Sequence, residues 1–216
     1  MTEPRSSSYI WVTWITGLLA ADKHCEWAAW FRAHYQGYAK VPSDFDLAAW
    51  KAAHGDMVRK RAEELRAAGY GVYVEDQNKF SLKGRAATLG GVADLVAVRE
   101  GDGLVIDCKS GQRRDSDAFQ VLTYMLALPL THQACRGVRL GGEVQYRDSR
   151  LAIAPEKLTG ELKGLILRTI ESVGGEAPLP RVPSLSECRF CDITAADCPE
   201  RIEEAQRVEV VETDLF

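Results

Sequence analysis

The segment GVADLVAVREGDGLVIDCK, residues 91–109, predicts a β-hairpin in the middle of the chain. Two mostly apolar runs, Val92–Val98 and Leu104–Cys108, flank a polar stretch at 99–103 that contains two glycines. Apolar runs of this length joined by a glycine-containing turn are a strong hairpin signal. We therefore expect two antiparallel strands here, and the rest of the chain is interpreted around them.

Two acidic residues and a lysine fall on one face of this apolar hairpin. A turn centred between Glu100 and Gly101 places residues at equal distances from that centre opposite each other. One such opposed pair is Asp94 and Asp107. Lys109 follows Asp107 by two positions, and because side chains alternate along a strand it shares the same face. The sequence thus predicts two carboxylates and one ammonium group at a single place.

The opposed carboxylates indicate a metal site. Directly opposed strand positions have Cβ atoms about 4.5–5.5 Å apart, where like charges destabilise the pairing unless a cation compensates. A buried ion pair is the alternative, but it uses one aspartate with Lys109 and leaves the other carboxylate unpaired. Hard oxygen ligands suit Mg²⁺ or Mn²⁺, which can bind a phosphate oxygen and activate water, and the lysine adds positive charge beside the phosphorus. This chemistry fits phosphodiester hydrolysis.

Two predicted helices supply further candidates. His54 belongs to an apolar stripe that we expect to face the sheet: Leu47, Trp50, His54, Met57 or Val58, and Leu65. A lone histidine on such a face is usually a core residue, but the nearby hairpin favours a ligand. Gln120 and Tyr124 lie four apart on the helix after Lys109, so they share one helix face and could position a phosphate or a base.

Six cysteines, three of them close together near the C-terminus, indicate a second site. The C-x2-C-x6-C group of Cys188, Cys191 and Cys198 lies in a loop-rich segment after a proline-rich linker, and its spacing suits zinc or an iron–sulfur cluster. Cys25, before an aromatic-rich helix, is the best fourth ligand. Cys108 and Cys135 fall in predicted strands and are interpreted as buried thiols. Spacing alone does not separate zinc from 4Fe-4S.

Composition places the chain among ordinary globular proteins. Of 216 residues, 46% are hydrophobic and 27% charged, which predicts a packed core. The apolar run at 9–21 is too short to span a bilayer and has no basic region before it, so we expect neither membrane segment nor secretion signal. Clustered cysteines then fit a reducing cytoplasm. The net charge of −4 restricts any DNA contact to local basic groups: Arg59–Arg61; Lys79, Lys83 and Arg85; Arg113–Arg114.

The pattern of elements predicts one domain with a small appendage. Residues 1–8 are expected to be disordered, helices are expected at Asp22–Gln36, Asp44–Ala68, Asp115–Leu128 and Pro155–Val173, and further strands from Tyr70 and within Arg136–Ala154. This order favours an α/β or α+β fold with a mixed central sheet flanked by helices. We divide the chain into a helical segment at 1–40, a core at 41–175, a cysteine segment at 184–200 and a tail at 203–216.

These motifs resemble those of a known family. The series His54, Gly91-x-x-Asp94, Asp107-x-Lys109 and Gln120-x-x-x-Tyr124 resembles the RecB-type nucleases of the PD-(D/E)XK superfamily, whose core is restriction-endonuclease-like. A cysteine before the core and three after it resembles the iron–sulfur subset: the CRISPR-associated Cas Four exonucleases, AddB-type helicase–nuclease subunits and the eukaryotic replication helicase–nuclease. The small size and the absence of a helicase motor favour the first.

The resemblance implies a role for each matching residue. His54, Asp94, Asp107 and the Cys108 carbonyl would bind Mg²⁺ or Mn²⁺, with Asp94, Asp107 and Lys109 catalytic and Gln120 and Tyr124 positioning DNA. A 4Fe-4S cluster would be held by Cys25, Cys188, Cys191 and Cys198, in an appendage that joins the N-terminal helix to the C-terminal segment. The implied substrate is single-stranded DNA or DNA with single-stranded ends, with CRISPR integrase subunits as possible partners.

Two other interpretations stay open. A nucleic-acid-binding or partner-docking subunit could keep the fold without catalysis, although the intact acidic and lysine positions argue against it. A structural zinc protein without activity is the second, and it predicts a colourless protein. The sequence leaves the oligomeric state and the polarity of digestion open.

Overall fold

The predicted hairpin forms with the expected register. In a computed structural model that describes residues 1–204, strand β7 (Leu95–Arg99) pairs antiparallel with β8 (Asp102–Lys109), and Leu95 lies opposite Ile106. The two turn residues, Glu100 and Gly101, have φ angles of 52° and 88°. Positive φ at both positions is typical of the tight two-residue turns whose twist matches the strands. The turn is therefore centred where the sequence predicted it.

The hairpin lies inside a five-stranded mixed sheet. Its order is β10 (Arg150–Ile153), β9 (Arg139–Tyr146), β8, β7 and β4 (Gly71–Val74). All neighbours are antiparallel except β8 and β9, which run parallel. A parallel pair needs a long crossover, and helix α4 (Asp115–Thr131) lies in that connection. The mixed α/β architecture predicted from the sequence is confirmed.

Helices cover both faces of this sheet. Helix α3 (Leu47–Ala67) begins at Asp46, whose carboxylate caps the helix by accepting a hydrogen bond from the Ala49 amide at 2.9 Å. Its second half packs on one face through Val58, Ala62 and Leu65 against Leu95, Ala97 and Ile106. Helix α4 packs on the other face through Val121, Leu122 and Met125, in the cluster that includes Val96, Val105 and Val144. The predicted site residues therefore lie between the two helices.

A second, three-stranded sheet leads into the hairpin. It comprises β2 (Tyr9–Trp11), β6 (Thr88–Val92) and β5 (Lys79–Lys83), with β2 parallel to β6. The expectation of one continuous strand over residues 92–98 is wrong, because β6 ends at Val92 and β7 begins at Leu95. The break at 93–94 brings the carboxylate of Asp94 to the junction of the two sheets.

The N-terminal region is more ordered than predicted. Residues 3–4 form strand β1 (Glu3–Pro4), paired with β3 (Tyr35–Gln36), so the predicted disorder at 1–8 is wrong. The chain at 9–36 contains two helices, α1 (Val12–Leu19) and α2 (Glu26–His34), instead of one at 22–36. Side-chain and backbone partners from distant segments, which the sequence does not display, order these residues.

The C-terminal region consists of helices α5 (Gly160–Gly174) and α6 (Leu185–Cys188) and loops that return to the N-terminus. The hydroxyl of Thr2 donates to Asp197 at 2.7 Å, which ties the two regions together. The predicted tail at 203–216 falls, beyond Glu204, outside the described residues. Over residues 1–204, none of the helices combines the length and apolarity that crossing a membrane requires.

Candidate active site

Asp107 is the most deeply buried charged group of the predicted site. It lies on β8 with 2% of its surface exposed. Its Oδ1 accepts a hydrogen bond from Gln120 Nε2 at 2.8 Å, and its Oδ2 lies 2.7 Å from Lys109 Nζ. Burial raises the pKa of Asp107 to about 7, because removal from water penalises the carboxylate more than Lys109 stabilises it. This carboxylate is costly to keep charged without a further cation.

Asp94 and His54 form the opposite side of the site. The Asp94 Oδ1 lies 3.3 Å from His54 Nε2, and its Oδ2 accepts a hydrogen bond from the Cys108 amide at 2.6 Å. The hydrogen bond to Asp94 raises the pKa of His54, against the opposing effect of burial. Among the described residues, nothing accepts or donates a hydrogen bond at the buried His54 Nδ1. The helix α3 therefore delivers an imidazole to the first of the two carboxylates.

Lys109, Gln120 and Tyr124 link the strand to helix α4. The Lys109 ammonium group donates to Gln120 Oε1 at 2.8 Å. Burial by itself lowers the pKa of Lys109, but the Asp107 carboxylate raises it by more, so the lysine stays charged. Tyr124, 2% exposed, donates to the Val92 carbonyl at 2.9 Å, and Gln120 Nε2 lies 3.0 Å from its hydroxyl. Tyr124 thus lies beneath Gln120 and fixes its amide.

The predicted residues line one cleft, hereafter the active-site cleft. Its volume is about 530 Å³, and its walls include His54, Asp94, Asp107, Cys108, Lys109, Gln120 and Tyr124. Within residues 1–204, no three His, Cys, Asp or Glu side chains stand in an arrangement that would hold a metal ion as they are. The two carboxylates are engaged by different partners. Asp94 contacts the imidazole of His54 and the Cys108 amide, whereas Asp107 contacts Lys109 and Gln120.

The donor set nevertheless fits a divalent cation. Asp107 Oδ2 lies 2.7 Å from the Lys109 ammonium group, and in the described part of the chain no hydrogen-bond donor occupies the remaining lone pair of this buried oxygen. Together with the imidazole of His54, whose Nε2 faces the Asp94 carboxylate, this gives one imidazole and two carboxylates beside one ammonium group. Such hard ligands suit Mg²⁺ or Mn²⁺. The arrangement could bind a phosphate and activate water beside it.

The predicted stripe on helix α3 is wrong in its first half. Leu47 is 52% and Trp50 39% exposed, whereas Val58 and Leu65 are buried. The buried contacts of α3 with the strands come from its second half, through Val58, Ala62 and Leu65, so Leu47 and Trp50 do not belong to that packed cluster. Trp50 instead stacks on His54, with ring centroids 4.9 Å apart and an angle of 17° between the planes.

Residues that the sequence analysis missed hold Asp94 in place. The buried side chain of Asn78 donates to the carbonyls of Tyr73 and Ala93, each at 3.0 Å. The Glu75 amide donates to the Asp94 carbonyl at 2.9 Å. These contacts fix the break between β6 and β7. A single asparagine in a polar loop gives no signal that could have identified this role.

The predicted basic groups differ in their surroundings. Arg61 donates through two nitrogens to the buried Glu143 at 2.8 and 2.9 Å, so it anchors α3 to β9. Arg85 is almost fully exposed beside Glu171. Arg114 lines the active-site cleft, and Arg113 lies over the Tyr146 ring beside it. Of the predicted groups, the one at 113–114 contributes a side chain, Arg114, to the lining of the active-site cleft.

The four predicted cluster cysteines line a second cavity, hereafter the cysteine cavity: Cys25, Cys188, Cys191 and Cys198. Cys25 precedes α2, and the Glu187 carboxylate accepts hydrogen bonds from the amides of His24 and Cys25 at 2.9 and 3.2 Å. This contact brings the N-terminal and C-terminal parts of the cavity together. All six cysteines are free thiols. Cys108 and Cys135 are buried elsewhere, and Cys135 lies in a single 3₁₀ turn and not in the predicted strand.

Cationic side chains offset part of the cost of negative charge in the cysteine cavity. Burial raises the pKa of the Cys198 thiol and so disfavours the thiolate, Arg181 lowers this pKa, and the other three sulfurs raise it, which reflects their proximity. Arg32 Nη2 lies 3.5 Å from Cys191 Sγ. Four cationic side chains line the cavity: Lys23, Arg32, Arg181 and Arg201. Within the described part of the chain these four thiols, like the cleft residues, do not yet stand at positions that would hold a metal ion. Their number and type, with an aromatic wall on α2 beside them, are those of a zinc or a 4Fe-4S site.

Comparison with known proteins gives one family. The model of the PD-(D/E)XK nuclease superfamily matches residues 17–199. A solved structure described as "Crystal structure of SSO0001" covers 93% of this chain and 90% of its own, at 15% sequence identity and a TM-score of 0.46. A search of curated proteins gives no significant match. The matched residues include every predicted catalytic residue of the active-site cleft and all four cysteines of the cysteine cavity.

Proposed function

The chain belongs to the PD-(D/E)XK nuclease superfamily, and from this premise we propose that it hydrolyses DNA phosphodiester bonds in the active-site cleft. Nucleases of this superfamily generally use Mg²⁺ or Mn²⁺. The observation that carries the proposal is the buried carboxylate of Asp107, held by Lys109 and Gln120 opposite Asp94 and His54. The pKa of Asp107 is raised by burial even with Lys109 beside it, and a titratable group shifted in this way within a cleft is typical of a functional site.

Each residue has a distinct role in the proposed reaction. His54, Asp94, Asp107 and the Cys108 carbonyl would hold Mg²⁺ or Mn²⁺, which supplies Lewis-acid chemistry and a reactive water at neutral pH. Lys109, kept protonated by Asp107, places a positive charge where negative charge develops on the phosphoryl oxygens. Gln120 keeps the ammonium group and the carboxylate in register through hydrogen bonds to both. Tyr124 holds the Gln120 amide from below.

We further propose that the cysteine cavity holds a 4Fe-4S cluster and that the chain acts as a single-strand exonuclease of the CRISPR-associated Cas Four type. The supporting observations are the four thiols in one cavity and the cationic side chains around them. The proposal assigns the nuclease core to 41–175 and the cluster segment to 184–200. CRISPR integrase subunits are the proposed partners and the cytoplasm the proposed location.

A partner-docking subunit without catalysis is the competing function. It is disfavoured because such a subunit has no use for the buried Asp107–Lys109 pair, whereas hydrolysis requires both charges. A structural zinc protein is disfavoured by the same pair. Visible brown colour after anaerobic purification would exclude zinc as the occupant of the cysteine cavity.

The test is degradation of end-labelled single-stranded DNA by anaerobically purified protein in Mn²⁺, beside an Asp107→Ala variant. We expect the wild type to shorten the strand from one end and the variant to leave it intact. Cleavage by the variant would show that the assigned residues are not the catalytic site. A wild type without activity, tested with and without Mn²⁺, would favour the docking subunit.

A further inference from the structure

Large apolar side chains lie exposed at the entrance of the active-site cleft. Phe45 and Trp50 are 60% and 39% exposed, and Leu47 between them is 52% exposed. They belong to the start of helix α3 and the loop before it, ahead of the part of the helix that is buried against the sheet. Scattered exposed apolar residues are common, but three within six positions beside a cleft are typical of a binding surface.

The aromatic rings form a ladder that begins inside the cleft. Trp50 is stacked on His54 at 4.9 Å, and the Phe45 ring follows, tilted by 55° to the Trp50 ring with the two centroids 6.3 Å apart. Trp11, at the end of β2, lines the same cleft. The rings therefore lead from the carboxylates at the bottom of the cleft to solvent at its entrance.

The position of the aromatic ladder indicates which ligand binds to it. Asp94, Asp107 and Lys109, the groups proposed to act on a phosphodiester, line the same cleft as Trp50, so the ladder lies where the nucleotides beside the cut bond must run. Nucleobases are flat and stack on aromatic side chains with little sequence preference. In a duplex the base faces already stack on one another, so an unpaired strand gains more from this surface. An apolar protein segment bound here would not interact favourably with the charges of Asp94, Asp107 and Lys109 in the same cleft.

We infer that Trp50, assisted by Phe45, stacks on an unpaired nucleobase next to the cut phosphate and so directs the site to single-stranded ends. This inference rests on the proposed nuclease function. Trp50 is a specificity-determining residue in this view, since it contacts the substrate without contacting the reacting atoms. Stacking on one ring corresponds to a change in affinity of about 10-fold.

Binding without cleavage tests the inference. In EDTA, we expect the wild-type chain to bind a fluorescent oligothymidylate about 10-fold more tightly than an abasic strand of equal length or a blunt duplex. The Trp50→Ala variant is expected to reduce this ratio to nearly one, and Trp50→Phe to keep most of it. Phe45→Ala should give an intermediate loss. Leu167→Ala, which removes an equally exposed apolar side chain on α5, is the control and should leave the ratio unchanged.

The outcomes separate this inference from the nuclease proposal. If the affinity ratio depends on Trp50 but the chain never cuts DNA, the result supports stacking and rejects the nuclease proposal. A ratio near one in the wild type, the absence of binding, or a ratio retained in both Trp50→Ala and Phe45→Ala would overturn the inference. A Trp50→Ala variant that needs more Mn²⁺ for cleavage but keeps the ratio would also overturn it, since Trp50 would then only support His54.

Discussion

The active-site cleft and the cysteine cavity both join distant parts of the chain, but they are held in different ways. In the cleft, Asp107 contacts Lys109 and Gln120, and Asp94 contacts His54 and a backbone amide, so protein groups already satisfy much of the charge. In the cavity, the one side-chain hydrogen bond to a sulfur found among the described residues is that from Arg32 to Cys191, at 3.5 Å.

The difference separates a preorganised site from one that depends on its ligand. The cleft stands on two packed strands and two helices, whose register positions its side chains with or without a metal. The thiols of the cavity lie on short loops and helix ends, where bonds to a bound group would contribute directly to stability. Changes in the cleft should therefore affect chemistry more than folding, and changes in the cavity the reverse.

Removal of the lysine gives the largest expected effect. Lys109→Ala should lower the rate of DNA cleavage by about 10²–10³-fold, because one preorganised charge at developing negative charge has about this value. The visible absorption of the proposed 4Fe-4S cluster should be unchanged. The measurement is the initial rate on end-labelled single-stranded DNA at saturating Mn²⁺. The exposed Lys163→Ala on α5 serves as control, and equal rates in the two variants would contradict the assigned role.

The frame of the cleft can be weakened without touching its chemistry. Arg61→Met should lower the free energy of unfolding by about 3 kcal/mol, because it leaves the Glu143 carboxylate buried without its partner. Urea unfolding followed by circular dichroism measures the change. Arg59→Met removes an exposed ion pair with Asp56 and should change stability by less than about 0.5 kcal/mol. A double variant, Arg61→Met with Glu143→Leu, should recover most of the loss.

The cavity should respond in the opposite sense. Cys188→Ser should remove the visible absorption and most of the iron, and lower the free energy of unfolding by about 2 kcal/mol, since the proposed cluster would join the two ends of the chain. Iron content and thermal unfolding measure the two effects. Cys135→Ala, which removes a buried thiol outside the cavity, should keep the colour. A Cys188→Ser protein with full iron content would exclude Cys188 as a ligand.

The elements that could be predicted from the sequence are those whose determinants lie close together along the chain. The hairpin turn at Glu100–Gly101 and the strand alternation are short-range properties, so the register that opposes Asp94 and Asp107 was available from 19 residues of sequence. Helix α3 was also predictable, but not where the sheet beneath it ends, and so Trp50 was assigned to the core. The order of residues 1–8 depends on pairing with residues 35–36, which no local pattern displays.

The smallest expected effect concerns the pH dependence of stability in the metal-free cleft. The Asp107 carboxyl has an ordinary pKa of 3.8 and a pKa of about 7 in the folded chain, raised by burial. Between these values the folded chain holds a proton that the unfolded chain releases. The stability contributed by this group is therefore present at low pH and is lost as the pH rises toward 7. His54, with a raised pKa, adds a loss of the same sign above pH 6.5.

An Asp107→Asn variant isolates this contribution, since the asparagine has no proton to lose. In EDTA, urea unfolding from pH 4 to 7.5 should reveal that the wild type loses at least about 1.4 kcal/mol more than the variant, which is the value of a single pKa unit. Saturating Mn²⁺ should reduce the difference, because a bound cation stabilises the carboxylate. Parallel pH profiles of the wild type and the variant in EDTA would mean that Lys109 fully compensates the buried charge of Asp107. The cleft would then need no metal for its stability.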